Sequence, residues 1–246
     1  MKNFFEYRFA IGAVSIVAGL FSLACLLVGV MAVNFHFEAF SDPSLTIKYA
    51  TNMQLVKWFN LLDMLGYYLL LLPLIFYFHQ QYRYRTPWSP LITFSGCAYV
   101  LTGAIGAAIL AAVWPSLLTD YASANPENKM MISNLFKAIT TMVTVGMWNI
   151  LEVLFAAVWW MGLGKLIYSE NKSLGVLTFI AGISTLSDAL GNMFNLTLLS
   201  EAGMNVYLIL GIIWPIIIGI FLLKKSMKQA ADTPHHSLPY ATHETA

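Results

Sequence analysis

The residues best able to do chemistry in this sequence are acids and amides set inside long apolar stretches. Asn60 and Asp63 stand three apart, as do Asn149 and Glu152. Ser184, Asp188, Asn192 and Asn195 succeed one another at steps of four, four and three. On a helix these spacings put each group on one face, and the last forms a continuous polar stripe. Such groups can bind a solute, carry a proton, or hydrogen-bond neighbouring helices to each other. No Lys or Arg lies deep in the same stretches to pair with the acids. An unpaired Asp at mid-membrane costs ~2.5–3.5 kcal/mol on insertion scales. Each acid is therefore expected to be protonated, hydrogen-bonded or wet.

Other chemistries lack their residues. His36, His79, His235, His236 and His243 fall in loops or the C-terminal tail, so no intramembrane pair is available for a zinc hydrolase. There is no phosphate loop, Gly-rich dinucleotide fingerprint or Gly-x-Ser-x-Gly elbow. Deep lysines for a retinal Schiff base and the repeated arginines of a voltage sensor are also missing. Cys25 and Cys97 lie at different depths of different stretches, too far apart to bridge. The residues point to no enzyme, no metal and no cofactor.

The elements that must position the acids are set by composition. The 246 residues are 59% hydrophobic and only 10% charged, with net charge +1. A soluble domain carries ~25% charged residues. A soluble enzyme, a disordered chain and a disulfide-stapled domain are excluded, and the charge balance indicates no nucleic-acid partner. Six stretches are long enough to cross a ~30 Å hydrocarbon core. They run over about 10–33, 55–78, 91–113, 138–163, 174–199 and 204–223. The first is too long for a signal-peptide core of ~7–15 residues. The class is all-α: a single six-helix membrane bundle over residues 1–228, with lipid as its solvent. Residues 229–246 form a polar, Pro-bearing tail expected to be disordered.

An even number of spans puts both termini on one side. That side holds Lys2, Arg8, Arg83, Arg85, Lys165, Lys172, Lys224, Lys225 and Lys228; the other holds Lys48, Lys57, Lys129 and Lys137. The basic excess predicts cytoplasmic termini. Pro73 and Pro215 interrupt the second and sixth spans and free the carbonyls of Leu69 and Gly211. In the third span Gly103, Ala107, Ala108 and Ala112 form overlapping small-xxx-small pairs. They predict close packing inside the bundle or, as the second reading, a homodimer face through Gly103 and Ala107.

From the outer ends of their spans, Asp63 lies ~12 Å deep, Asp188 ~16 Å, Asn192 ~10 Å, Asn149 ~16 Å and Glu152 ~21 Å. One cluster between the outer third and the midplane is therefore expected. Asp63 and Asp188 are its preferred centre. Leu61-Leu62-Asp63-Met64-Leu65-Gly66 echoes Leu186-Ser187-Asp188-Ala189-Leu190-Gly191, in the middle span of each half, as in inverted-repeat transporters.

The stretch Gly162-Leu163-Gly164-Lys165-Leu166-Ile167-Tyr168-Ser169, then Leu174-Gly175-Val176-Leu177, Ala181-Gly182 and Leu186-Ser187-Asp188, resembles a family of uncharacterised bacterial integral membrane proteins, a domain of unknown function. Arg8 and Gly12 match the family's start. Ser173 stands where such proteins often carry a proline. The resemblance implies a six-span fold in a bacterial inner membrane and transfers no catalytic residue. Two functional readings are open. In the first, Asn60, Asp63, Asn149, Glu152, Asp188, Asn192 and Asn195 form a wet site that passes or senses a small solute or proton. In the second, the protein is a non-transporting structural or accessory subunit, and the same groups are dry interhelical glue.

Overall fold

The computed structural model describes residues 2–231, with side chains described for 6–229; most of the expected disordered tail, residues 232–246, lies outside them. The described residues are helical, with no strand among them. Six helices are long and apolar enough to cross a membrane. We number them α1 (Lys2–Ala32), α2 (Met53–Tyr82), α3 (Ser89–Ser123), α4 (Pro126–Tyr168), α5 (Lys172–Met193) and α6 (Thr197–Ala231). Each packs on its chain neighbours, and α6 closes the ring against α1. Helix ends are set by local chemistry. Asn52, Asn125 and Asn171 cap α2, α4 and α5, each side chain accepting from backbone N–H groups of the first turn.

Close approach between helices depends on glycine. A Cβ on Gly12 of α1 would sit 3.0 Å from the Gly219 carbonyl of α6, and one on Gly219 would sit 2.6 Å from the Gly12 carbonyl. In α3, a Cβ on Gly103 would overlap the Tyr68 ring. Gly103 and Ala107 are both buried within the chain. Ala108, one position on, is exposed. The outward faces are apolar, as with Leu27, Leu101, Ile105 and Ile209, each more than half exposed.

The start of α1 and the end of α6 share one end of the bundle, where the Arg8 guanidinium donates to Gln229 Oε1 at 3.0 Å. We call this the terminal end. Here Glu170 in the α4–α5 turn pairs with Arg85 at 2.9 Å and Lys225 at 3.5 Å. At the distal end, residues 34–52 fold over the bundle through two short helices, Glu38–Ser41 and Thr46–Tyr49. The turn into them needs positive φ at Asn34 (49°) and Phe35 (63°). Asn34 Nδ2 donates to the Tyr49 carbonyl at 2.6 Å, and the Phe40 ring meets Phe59 edge-on.

The helix bounds differ from the expected spans, most tellingly in α5 and α4. The fifth helix ends at Met193, not near Leu199, because Asn195 turns into the left-handed region (φ 57°) and α6 starts at Thr197. The fourth begins at Pro126, well before residue 138, because Asn125 and Pro126 start a helix that is polar in its first turns.

Candidate functional site

Two departures from α-helical geometry adjoin Asp63 and Glu152, while Asp188 sits on the regular helix α5. Asp63 is the last residue of the regular first part of α2 and precedes a π-helical turn, Met64–Tyr68. A 3-10 turn, Leu69–Leu71, then leads to Pro73. Pro73 has no N–H to offer the Leu69 carbonyl. The helix accommodates this just before the proline, where Tyr68 takes φ −125°, ψ −82°. In α4 the segment Met142–Glu152 is π-helical and Glu152 closes it. π-turns are rare and recur at functional sites. Here both adjoin a carboxylate.

Between these segments lies a cavity of about 440 Å³. It is lined by Asp63 and Tyr67 of α2, Trp148, Asn149 and Glu152 of α4, Asp188 and Asn192 of α5, and Tyr207 of α6. Towards the distal end its wall includes Phe40 and Ser41 of the overlying loop, Asn195 of the α5–α6 turn, and Glu201. The wall contains four acids and no Lys, Arg or His among the described residues.

The three deep acids differ in their partners. Glu152 is buried, and its Oε2 accepts from the Tyr68 hydroxyl at 3.0 Å. Tyr207 donates to Oε1 at 3.3 Å. The Tyr207 hydroxyl also lies 2.9 Å from that of Tyr99, which donates to the Tyr67 carbonyl at 2.9 Å. Asp188 is buried, and its Oδ1 accepts from Asn192 Nδ2 at 2.7 Å. Asp63 makes no hydrogen bond, and its Oδ2 is buried without a partner.

Counting protons constrains Glu152. Its tyrosine network has four contacts and three phenol protons. The Tyr68 proton serves Glu152 and the Tyr99 proton serves a carbonyl. If Tyr207 donates to an ionised Glu152, the Tyr99–Tyr207 contact has no proton. A neutral Glu152 supplies the fourth. The group can thus hold one proton, or release it at the cost of one hydrogen bond.

Six of the seven residues expected in the cluster meet at this cavity. Asn149 is half-buried in its wall, and Asn195 is exposed at its edge, in a turn rather than on the helical stripe. Asn60 is the exception. It is fully buried, donates to the Val56 carbonyl one turn back at 2.9 Å, and does not reach the cavity. Asp63 and Asp188 approach the space from opposite helices of the ring, but the hydrogen-bond network centres on Glu152. Tyr67, Tyr68, Tyr99 and Tyr207 lie outside the expected set. Their signal is a polar tip placed in mid-span rather than at a span end.

Towards the terminal end the ring is filled by aromatic side chains. Trp214 packs against Trp160 and Trp159 with centroids 4.5 and 5.7 Å apart, and Tyr99 lies against Trp159. All four are at most 1% exposed. Trp214 Nε1 donates to Thr178 Oγ1 at 2.8 Å. Cys25 and Cys97 are free, and Cys25 also lines the cavity. No group of three His, Cys, Asp or Glu among the described residues converges closely enough to hold a metal ion. Comparison of the chain with protein-family models, curated proteins and solved structures finds no match in any of the three.

Proposed function

We propose that the protein is a multi-pass protein of a bacterial inner membrane that admits a small solute from the periplasmic side into the acid-lined cavity, to pass it on or to sense it. The observation that carries this reading is the cavity itself: about 440 Å³ of space with Asp63, Glu152, Asp188 and Asn149 in its wall. That volume falls in the ~300–1,000 Å³ range of ligand sites. Interhelical glue needs polar groups paired with each other, whereas Asp63 belongs to the cavity wall and its buried Oδ2 has no hydrogen-bond partner.

The basic excess at the terminal end favours cytoplasmic termini, so the distal mouth faces the periplasm. The inner-membrane location also draws on the family resemblance. In this state the Trp159, Trp160 and Trp214 cluster closes the ring between the cavity and the cytoplasm. Passage requires those rings to move; sensing does not. The reading is non-enzymatic.

The test is the reactivity of Asn149→Cys in a protein lacking Cys25 and Cys97. On intact spheroplasts an impermeant thiol reagent should label it, and prior treatment with a second cavity-sized thiol reagent should block the labelling. An unreactive thiol would favour the accessory-subunit reading, in which the interior is dry.

A further inference from the structure

We infer that the cavity's occupant is a small organic monocation, an amine or quaternary ammonium compound, whose charge pairs with Asp63. This rests on the reading of the cavity as a solute site. Four observations define the class. First, the wall holds Asp63, Glu152, Asp188 and Glu201 and no basic residue among those described, so an anion would meet only like charge. Second, the acids are unequally engaged. Both Glu152 oxygens are engaged by phenol hydroxyls and Asp188 Oδ1 accepts from Asn192, whereas Asp63 makes no hydrogen bond and its Oδ2 is buried without a partner. Asp63 is the carboxylate left for an incoming charge. Third, the acids do not converge as metal ligands do. A divalent ion needs six to eight oxygens close around it, or six in octahedral order. Fourth, Phe59, Tyr67, Trp148 and Tyr207 share the wall with the acids. Aromatic faces attract an alkylammonium, and cages of such rings are how quaternary ammonium groups are held. A hydrated inorganic ion gains little from them.

The assignment is tested by calorimetric titration of the full chain in maltoside micelles with choline and with its uncharged analogue, in which carbon replaces the ammonium nitrogen. Choline should bind saturably, with the analogue at least about tenfold weaker. Asp63→Asn should weaken choline by about tenfold or more, and Asp63→Glu should restore part of the loss. Should Asp63→Asn fail to fold, Phe59→Leu takes its place: it removes a ring face and should weaken choline several-fold without affecting the analogue. Absence of choline binding, equal binding of the two compounds, or choline binding unchanged in Asp63→Asn overturns the assignment. If Asn149→Cys is still labelled, the solute cavity stands and only the ligand class falls. If Asn149→Cys is also silent, the cavity reading falls with it.

Discussion

The Tyr207 hydroxyl of α6 lies 3.3 Å from Glu152 Oε1 of α4, which joins two helices that are not neighbours in the ring through one buried acid. With Tyr68 on the other oxygen, Glu152 connects α2, α4 and α6 beside the cavity. A buried carboxylate with no cation nearby keeps such a place by accepting hydrogen bonds and holding a proton.

The proton count around Glu152 gives the first prediction. Infrared spectra at neutral pH should contain a protonated-carboxyl band that Glu152→Gln removes. The glutamine should still fold, since an amide can both accept from the phenols and donate. Tyr207→Phe should shift the same band and cost about 1 kcal/mol of stability, the worth of one hydrogen bond. A spectrum unchanged by Glu152→Gln would mean that the acid is ionised.

Packing of α3 gives a second. Ala107 is fully buried and Ala108 exposed on the same helix. Ala107→Leu should lower stability by about 1–3 kcal/mol through overpacking. Ala108→Leu should stay within about 0.5 kcal/mol of the parent. Thermal melts of the two purified variants read the difference. Equal melting temperatures would show that Ala107 does not lie in a tight helix contact.

Topology gives a third. Ser41 lies in the distal loop and Arg85 in the terminal-end turn. In a protein lacking Cys25 and Cys97, Ser41→Cys should react with an impermeant thiol reagent on intact spheroplasts and Arg85→Cys should react only after lysis. The opposite pattern would invert the protein in the membrane and move the mouth of the cavity to the cytoplasm.

The ion pairs of Glu170 give a fourth. Glu170 joins the α4–α5 turn to Arg85 and Lys225 on part-exposed side chains. Glu170→Gln should cost no more than about 1 kcal/mol, and less as salt is raised. A larger loss that salt does not reduce would show that this contact acts as a buried pair.

The six helices are legible in the sequence because a span needs ~20 apolar residues, a run that stands out in any chain. Their ends are less so. Phe194, Leu196, Leu198 and Leu199 continue the apolar run of α5, and only the backbone of Asn195 shows where it stops. The acids stand out because charge inside an apolar stretch is costly. Their partners do not. Asn60 and Asp63 are three apart, yet Asn60 bonds back to its own helix, and the π-turn after Asp63 rotates Tyr67 and Tyr68 away from their regular helical positions. The π-segments leave no pattern in the sequence, so spacing rules based on regular turns cannot bring Tyr68 and Glu152 together. Tyrosine is common at the membrane interface, where its amphipathic ring suits the headgroup level. Tyr68, Tyr99 and Tyr207 use the same hydroxyl in the network, far from that interface.

Water must reach the acids from the distal end while the aromatic cluster stays dry. X-ray hydroxyl-radical footprinting of the protein in nanodiscs reads both in one sample. Trp148 and Met204, in the cavity wall, should be modified rapidly, and Trp159, fully buried beneath it, should remain protected. Trp148 and Met204 as protected as Trp159 would show a dry interior and contradict the account.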